Sequence, residues 1–294
     1  MYFRGDWRPM TTSYPRILCP LALRDDSERH VLRCALELAA VLSTSVQAVH
    51  VYSRGPEPDS PSELAHDVAR PARERFAEYL EGTTGGDAAL TVLEGKTAER
   101  ILDEAGRLDV DFLVMGTHGR SALGRLLLGS VAARVLRAST VPTIAVPYTK
   151  AEPSSPSSIL VAHDLVSLAS SRALELARRL QLAFGDPPVT LVHALSPRAG
   201  DVEQRRWDVT RQLERDVERA FGSTWRDSLA IRVVDPGKSD MDRVLSVGLE
   251  VGADLMIVGT STKTGVGRLG STATGLLGRS RVPVLVVPSI LKEP

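Results

Sequence analysis

Short apolar runs alternate along the chain with longer stretches in which apolar residues recur at the spacing of a helix face. The apolar runs cover residues 16–21, 46–52, 88–93, 112–115 and the segment that follows Val141-Pro142. The helical stretches cover residues 28–42, 62–80, 98–107 and the segment that begins at Gly129-Ser130. An alternation of this kind predicts a parallel sheet with helices on both of its faces.

The same order of elements returns in the second half of the chain. The repeated landmarks, displaced by 142 or 143 positions, are Ile17-Leu18 and Ile159-Leu160, His50 and His193, and D-F-L-V-M-G at 111–116 and D-L-M-I-V-G at 254–259. Several landmarks at one offset indicate a tandem duplication of a single α/β domain. We therefore predict an N-terminal arm (residues 1–15), a first domain (16–149), a linker (150–156) and a second domain (157–290).

Composition excludes several classes of protein. The 36 basic residues balance the 36 acidic ones, so the charge does not favour a nucleic-acid or membrane-surface binder. The two cysteines, Cys19 and Cys34, form no C-x-x-C pair, and we expect them to be core residues in a reducing compartment. No apolar run has the length of a membrane span, and the first residues lack the apolar region of a signal peptide, so we expect a cytoplasmic protein.

A glycine-rich loop joins the fourth strand to the helix after it, with the spacing Gly116-x2-Gly119-x9-Gly129-Ser130. Unpaired N–H groups at a helix start carry partial positive charge, and glycines let the backbone approach an anion closely. The loop contains Arg120 but no acidic residue, which favours a phosphate ligand. A tight structural connection is the alternative interpretation of the same glycines.

The loop resembles that of the universal stress protein (UspA) family, whose ATP-binding members carry G-x2-G-x9-G-S/T. The D-h-h-h-M-G-x-H-G strand exit and the closing V-P-h-h-h-V strand support the resemblance, which covers both halves. It implies two tandem Rossmann-like domains of the adenine nucleotide alpha hydrolase-like type, each a five-stranded parallel sheet flanked by helices. It also implies that the two closing strands pair in an intramolecular pseudo-dimer, and a homodimer of the chain stays open.

The resemblance places an adenine nucleotide in the first domain. The base would lie against the backbone around Pro20 and Ala22 and against Val51, and the family's strand-end aspartate is absent because Ala22 stands there. The positions implied beside the ribose and around the phosphates are Met115, Gly116, Gly119, Arg120, Gly129, Ser130 and Val131.

The second domain departs from the family pattern in a different way. Asp164 keeps the strand-end aspartate, but Thr262 replaces the second glycine, and only 11 positions separate Gly259 from Gly270. A β-branched residue resists the positive φ that glycine tolerates. A weaker anion site stays open here; its residues would be Asp164, Gly259, Arg268, Gly270 and Ser271.

These observations favour an ATP-binding stress-response regulator, with ATP bound mainly in the first domain and with Mg²⁺ as a companion of its phosphates. A nucleotide-free interaction scaffold and a slow ATPase are the alternatives. No catalytic or metal-ligating residue is predicted, since the acid-free loop lacks the carboxylate that efficient hydrolysis needs. We expect His50 and His193, at strand ends, to be hydrogen-bonded structural residues.

Overall fold

The computed structural model describes residues 17–24, 26–53, 61–83, 87–117, 128–148, 155–195, 201–235, 239–260 and 269–289. The first half contains strands β1 (Ile17–Pro20), β2 (Val46–Tyr52), β3 (Ala88–Glu94), β4 (Phe112–Gly116) and β5 (Thr143–Val146), and helices α1 (Arg29–Val41), α2 (Pro61–Leu80), α3 (Thr97–Arg107) and α4 (Ser130–Ala138). The second half contains strands β6 (Ile159–Ala162), β7 (Val189–Ala194), β8 (Leu229–Val234), β9 (Leu255–Gly259) and β10 (Val284–Val287), and helices α5 (Leu168–Ala183), α6 (Val202–Phe221), α7 (Asp240–Glu250) and α8 (Ser271–Arg279).

The ten strands form one sheet in the order β3-β2-β1-β4-β5-β10-β9-β6-β7-β8. Within each half every strand pair is parallel, which confirms the predicted α/β class. The chain winds outward from β1 to β3 and then returns to the other side of β1 for β4 and β5. The second half repeats this winding around β6, so each half is a doubly wound unit of the Rossmann type.

The two halves meet at a seam, the antiparallel pair of β5 and β10. Val284 lies opposite Ala145, and Leu285 lies opposite Ile144. The pairing of the two closing strands that the family resemblance implied is therefore present, and it joins two five-stranded sheets into one.

Helices cover both faces of this sheet, as predicted. Successive strand residues point to opposite faces, so Ile17 packs under α1 and α2, whereas Leu18 packs under α3 and α4. The second half repeats the arrangement, with Ile159 on the side of α5 and α6 and Leu160 on the side of α7 and α8. The two resulting cores each continue through both halves of the molecule.

Two helix starts of the first half have no side-chain cap. The N-cap of α1 is Glu28, which makes no side-chain cap and ends a short 3₁₀ turn, Asp26–Glu28. Thr97 is the first helical residue of α3, and Lys96 precedes it without a side-chain cap. In the second half Ser239 does cap α7, since its hydroxyl accepts the Asp242 N–H at 3.1 Å.

Both cysteines are structural. Cys19 is fully buried on β1, and Cys34 is half-buried on α1. Burial raises the pKa of the Cys19 thiol well above its ordinary value and raises that of Cys34 to about 12. A thiol with a raised pKa carries little thiolate at neutral pH and is a poor nucleophile.

The seam makes a testable contribution to stability. Leu285 is fully buried beside Ile144, so Leu285→Ala removes core contacts on both sides of the seam and is expected to reduce the free energy of unfolding by ~2–5 kcal/mol. The control is Leu249→Ala, because Leu249 is 80% exposed; its expected effect is within about 0.5 kcal/mol. Urea denaturation followed by circular dichroism measures both, and equal effects would contradict a packed seam.

Candidate functional site

The winding of the first half creates a crevice between β1 and β4. The chain leaves these neighbouring strands in opposite directions, so their carboxyl ends diverge, and open α/β sheets bind ligands at such a switch point. Pro20 is the last residue of β1, and Gly116 is the last residue of β4. The structure thus places these two predicted site residues at the two sides of one crevice.

The other predicted residues of the first half vary in their surroundings. Val51 lies half-buried near the end of β2, next to Leu93 of β3. The Met115 side chain is buried in the core under α3 and α4, so only its backbone can face a ligand in the crevice. Gly119 and Arg120 lie outside the described residues.

Helix α4 begins beside the end of β4. The Gly129 N–H donates to the Thr117 carbonyl (2.8 Å), and the Thr117 N–H donates to the Val146 carbonyl of β5 (3.1 Å). The first helical bond of α4 runs from Ala133 to Gly129 (2.8 Å). The N–H groups of the first turn, which begins at Ser130, therefore have no partner within the helix.

Among the described residues, no side chain caps this helix start. Gly129 is the N-cap and provides no side-chain acceptor, and the first turn contains no acidic residue. Ser130 is exposed, so its hydroxyl and its N–H lie at the surface. Backbone donors, a hydroxyl and the positive end of the helix dipole together form a surface that suits phosphate oxygens.

The two crevices differ in how far the two strands that flank each of them are paired. The β1–β4 ladder ends, toward the carboxyl side, at the pair Leu18–Leu113. The β6–β9 ladder follows the same register but continues through Val161–Ile257 to Ala162–Val258. The pairing of β1 with β4 therefore ends two residues earlier than the pairing of β6 with β9.

Pro20 explains the shorter ladder. Alternate residues of a central parallel strand bond to opposite neighbours. The Leu21 N–H donates to Val49 of β2 (2.9 Å), so Pro20, one residue earlier, faces β4. Proline has no N–H to donate, whereas Ala162 at the equivalent place in β6 has one. Pro20 therefore removes one backbone hydrogen bond between β1 and β4 at the crevice.

The backbone turns sharply after β1, and a residue that the sequence analysis missed holds the turn. Leu23 has a positive φ of 53°, which is unusual for a residue other than glycine. The Glu28 carboxylate accepts the N–H of Ala22 at 3.0 Å and that of Leu23 at 2.7 Å. A carboxylate that stands five and six residues from its two partners has no motif spacing by which the sequence alone could reveal it.

The corresponding turn of the second half places Asp164 in a structural role. Its carboxylate accepts the N–H groups of Val166 (3.0 Å) and Ser167 (2.8 Å), which fixes the loop that leads into α5. Burial pushes the pKa of Asp164 upward, but these N–H donors outweigh burial and hold the pKa below its ordinary value. The aspartate predicted as a second-site residue is thus engaged in an Asx turn.

The end of β9 is also more tightly covered than the end of β4. A Cβ atom on Gly259 would lie 2.6 Å from the Ala169 carbonyl carbon and 2.7 Å from the Ser170 nitrogen, both of them backbone atoms of α5. A Cβ atom on Gly116 would meet only the Val31 side chain, at 3.5 Å. Gly259 therefore permits a close approach of helix to strand, which fills space beside the second crevice.

The remaining second-half residues retain part of the anion geometry. Gly270 is the N-cap of α8, and as a glycine it has no side chain that could cap the helix. Ser271, the first residue of the helix, is exposed. Arg268 and Thr262 lie outside the described residues.

The strand-end histidines are structural, as predicted. His50 Nδ1 lies 3.0 Å from the Leu21 carbonyl, and His193 Nδ1 lies 2.7 Å from the His163 carbonyl, so each tethers its strand to the neighbouring strand end. Among the described residues no group of three or more His, Cys, Asp or Glu side chains is arranged to hold a metal ion.

Fold and site together define a class: a tandem pair of doubly wound α/β units, with a crevice and a bare helix start at the switch point. Within that class, the chain belongs to the universal stress protein family, whose profile matches residues 13–147 and 157–288. The two matched segments are the two halves described above, and they cover most of the sequence. No helix in the described ranges combines the length and the apolar character that crossing a bilayer requires.

Relatives of known family and a solved structure agree with this assignment. A universal stress protein of Methanocaldococcus jannaschii is 30% identical over 147 residues, which cover 47% of this chain and 85% of that protein. One from Thermus aquaticus is 34% identical over 140 residues, 43% of this chain and 96% of that protein. The crystal structure of a universal stress protein from Archaeoglobus fulgidus superposes with a TM-score of 0.71 and 21% identity, covering 95% of this chain and all of that one, and it supports the fold.

The unequal packing of the two strand exits can be tested with one substitution in each half. In Gly259→Ala the new methyl group collides with α5 backbone, so we expect a loss of ~1–3 kcal/mol in the free energy of unfolding. Gly116→Ala makes an ordinary contact with Val31 and is expected to stay within about 1 kcal/mol of the wild type. Denaturant titration measures both, and a larger loss at Gly116 would show that the second crevice is not the tighter one.

His163 makes the second half sensitive to acid. Its ring is buried, Nδ1 accepts the Leu165 N–H at 3.1 Å, and Nε2 has no hydrogen-bond partner in the described structure. Burial lowers the pKa of His163 below its ordinary value; the charges of Asp216 and Asp164 oppose this shift, and His193 adds to it.

Because the folded pKa is depressed, the unfolded chain binds a proton more readily, and stability falls as the pH drops below about 6.5. His163→Leu, which installs the residue that the first half has at Leu21, is expected to remove this component. Urea unfolding of both proteins between roughly pH 7.5 and pH 5 measures the difference. Parallel pH profiles for the two proteins would contradict the prediction, since all other titrating groups are common to both.

Proposed function

We propose that this protein binds an adenine nucleotide, ATP, at the switch point of its first half, and that it acts in this form as a stress-response regulator. One observation carries the proposal: the crevice at the ends of β1 and β4 lies beside a helix start that, among the described residues, has no side-chain cap and no acidic residue in its first turn. A nucleotide has the two parts that this surface suits, a flat base and a chain of negatively charged phosphates.

In this proposal each part of the ligand has a defined place. The base lies against the backbone of Pro20 and Ala22 and against the half-buried Val51, and the ribose lies beside the backbone of Met115 and Gly116. The phosphates bind the start of α4 through the N–H groups of Ser130 and Val131, and Gly129, whose own N–H donates to Thr117, lies beside them without a side chain. Gly119 and Arg120 would complete the phosphate site from the loop before α4.

Binding, rather than hydrolysis, is the favoured activity. Efficient phosphoryl transfer needs a carboxylate to hold Mg²⁺ and a group to orient water. Within the described ranges no carboxylate cluster suited to a metal is present, so Mg²⁺ would accompany the phosphates of ATP. The proposal therefore assigns no catalytic residue to the chain.

The second half has a different role in this proposal. The pairing of β6 with β9 beside its crevice continues two residues further than that of β1 with β4. The Asp164 carboxylate accepts backbone N–H groups, and Gly259 lies directly against α5. These contacts favour a structural partner for the first half over an equivalent ATP site. Gly270 and Ser271 retain a bare helix start, which on its own holds an anion more weakly than a complete crevice does.

The test is a calorimetric titration of ATP into the wild type and into two matched variants, Gly129→Val and Gly270→Val. Both glycines have negative φ values, −58° and −63°, which valine adopts without strain, so both variants are expected to fold. The valine at position 129 shields the donors of α4, and we expect an affinity loss of at least ~10-fold, or about 1.4 kcal/mol. Gly270→Val is expected to retain wild-type affinity. Absence of binding heat in the wild type at millimolar ATP would refute the proposed function.

A further inference from the structure

The turn after β1 has an unusual anchor for its backbone. Glu28 ends the 3₁₀ turn before α1, and its two carboxylate oxygens accept two consecutive N–H groups, those of Ala22 (3.0 Å) and Leu23 (2.7 Å). Leu23 has the left-handed φ of 53°, which a leucine adopts only when its surroundings enforce it. The carboxylate is the visible cause of that enforcement.

The second half reaches the same backbone shape with other side chains. Leu165, the counterpart of Leu23, has a φ of 65°. The Asp164 N–H donates to Ser170 Oγ (3.2 Å), and the Leu165 N–H donates to His163 Nδ1 (3.1 Å). Ser170 stands at the repeat position of Glu28, so one structural task is performed by a carboxylate in the first half and by a hydroxyl and an imidazole in the second.

Glu28 also determines which hydrogen bonds the turn offers to a ligand. The N–H groups of Ala22 and Leu23 are taken by the carboxylate, and the Leu21 N–H is taken by Val49 (2.9 Å). Three consecutive donors are therefore occupied. Ala22 is exposed, so a ligand that reaches this turn meets backbone whose N–H groups at residues 21–23 are already engaged, which leaves hydrogen-bond acceptors rather than donors.

We infer that Glu28 is a positioning residue that makes the base end of the crevice selective for a purine with an amino group at position 6, as in adenine, over a purine with an oxo group there, as in guanine. This inference rests on the proposed nucleotide site. An occupied N–H cannot serve the O6 acceptor of guanine, whereas carbonyl and carboxylate oxygens accept from an exocyclic amino group such as that of adenine.

The same charge orients the nucleotide. A carboxylate is ionised at neutral pH and repels phosphate, whereas the bare start of α4 attracts it. The crevice is thus negative beside β1 and positive beside β4. The family pattern has an aspartate at position 22, which is Ala22 in this chain. Glu28 places a carboxylate at the same turn, although it does so from a different element.

The experiment compares Glu28→Ala with the wild type in calorimetric titrations of ATP, GTP and inorganic tripolyphosphate. We expect Glu28→Ala to weaken ATP binding about tenfold, because two hydrogen bonds that fix the turn are lost. We also expect the ATP and GTP affinities to become similar, because two N–H donors become free. Tripolyphosphate, which has no base, is expected to bind both proteins equally. The matched control is Ser170→Ala, the same position in the second half, with unchanged affinity for ATP.

Three outcomes separate the possibilities. A wild type that binds no ATP refutes the proposed function itself and removes the basis of this inference. A wild type that binds ATP, with unchanged ATP affinity and unchanged ATP-to-GTP ratio in Glu28→Ala, overturns the inference alone. Equal losses for ATP and tripolyphosphate together with a lower melting temperature would show a merely structural role and would also overturn it.

A second variant guards against misfolding. Glu28→Gln has the size of the native side chain but only one oxygen acceptor and no charge, so it can hold one of the two N–H groups of the turn. We expect its ATP affinity and its ATP-to-GTP ratio to lie between those of the wild type and Glu28→Ala. If Glu28→Ala does not fold, the Glu28→Gln values decide, and wild-type selectivity in that variant would overturn the inference.

Discussion

The antiparallel pairing of β5 with β10 is the contact on which the rest of this molecule depends. A strand at the edge of a sheet presents unpaired N–H and C=O groups, and both closing strands would present such edges if the halves were separate. Their pairing satisfies these groups and lets the two cores run through the whole molecule. Each half can then keep short strands at its centre, including the four-residue β1, without losing the support of a large sheet.

Much of this fold could be predicted from the sequence because its signals are local or repeated. The alternation of apolar runs with helical stretches defines the α/β class, and the repeated landmarks define two halves. Helix caps were less predictable, since Thr97 and the polar residues before α1 have the composition of caps but other positions in the helix. A cap is set by backbone geometry over one or two residues, and composition does not resolve it at that scale.

The candidate site was predictable in its outline and not in its asymmetry. Gly116 and Gly129 can be found from their spacing and Pro20 from the family resemblance, and the structure places them around one crevice. Glu28 and His163 could not be found this way, because each acts through a hydrogen bond to backbone at a turn of unusual φ. The shorter pairing of β1 with β4 follows from a missing N–H, whose effect depends on which neighbour Pro20 faces. That direction is a property of the folded sheet.

The direction of the seam has a consequence for how the duplicated halves relate to one another. The strands within each half are parallel, and β10 runs antiparallel to β5. The carboxyl ends of the strands in the two halves therefore point in opposite directions along the common sheet. A ligand in one crevice consequently touches no residue of the other crevice. The turn and the strand exit therefore differ between the halves without a direct contact between the two crevices, Glu28 holding the turn in one and Asp164 and Ser170 in the other. Any signal between them must travel through the packed sheet itself, by way of β5 and β10.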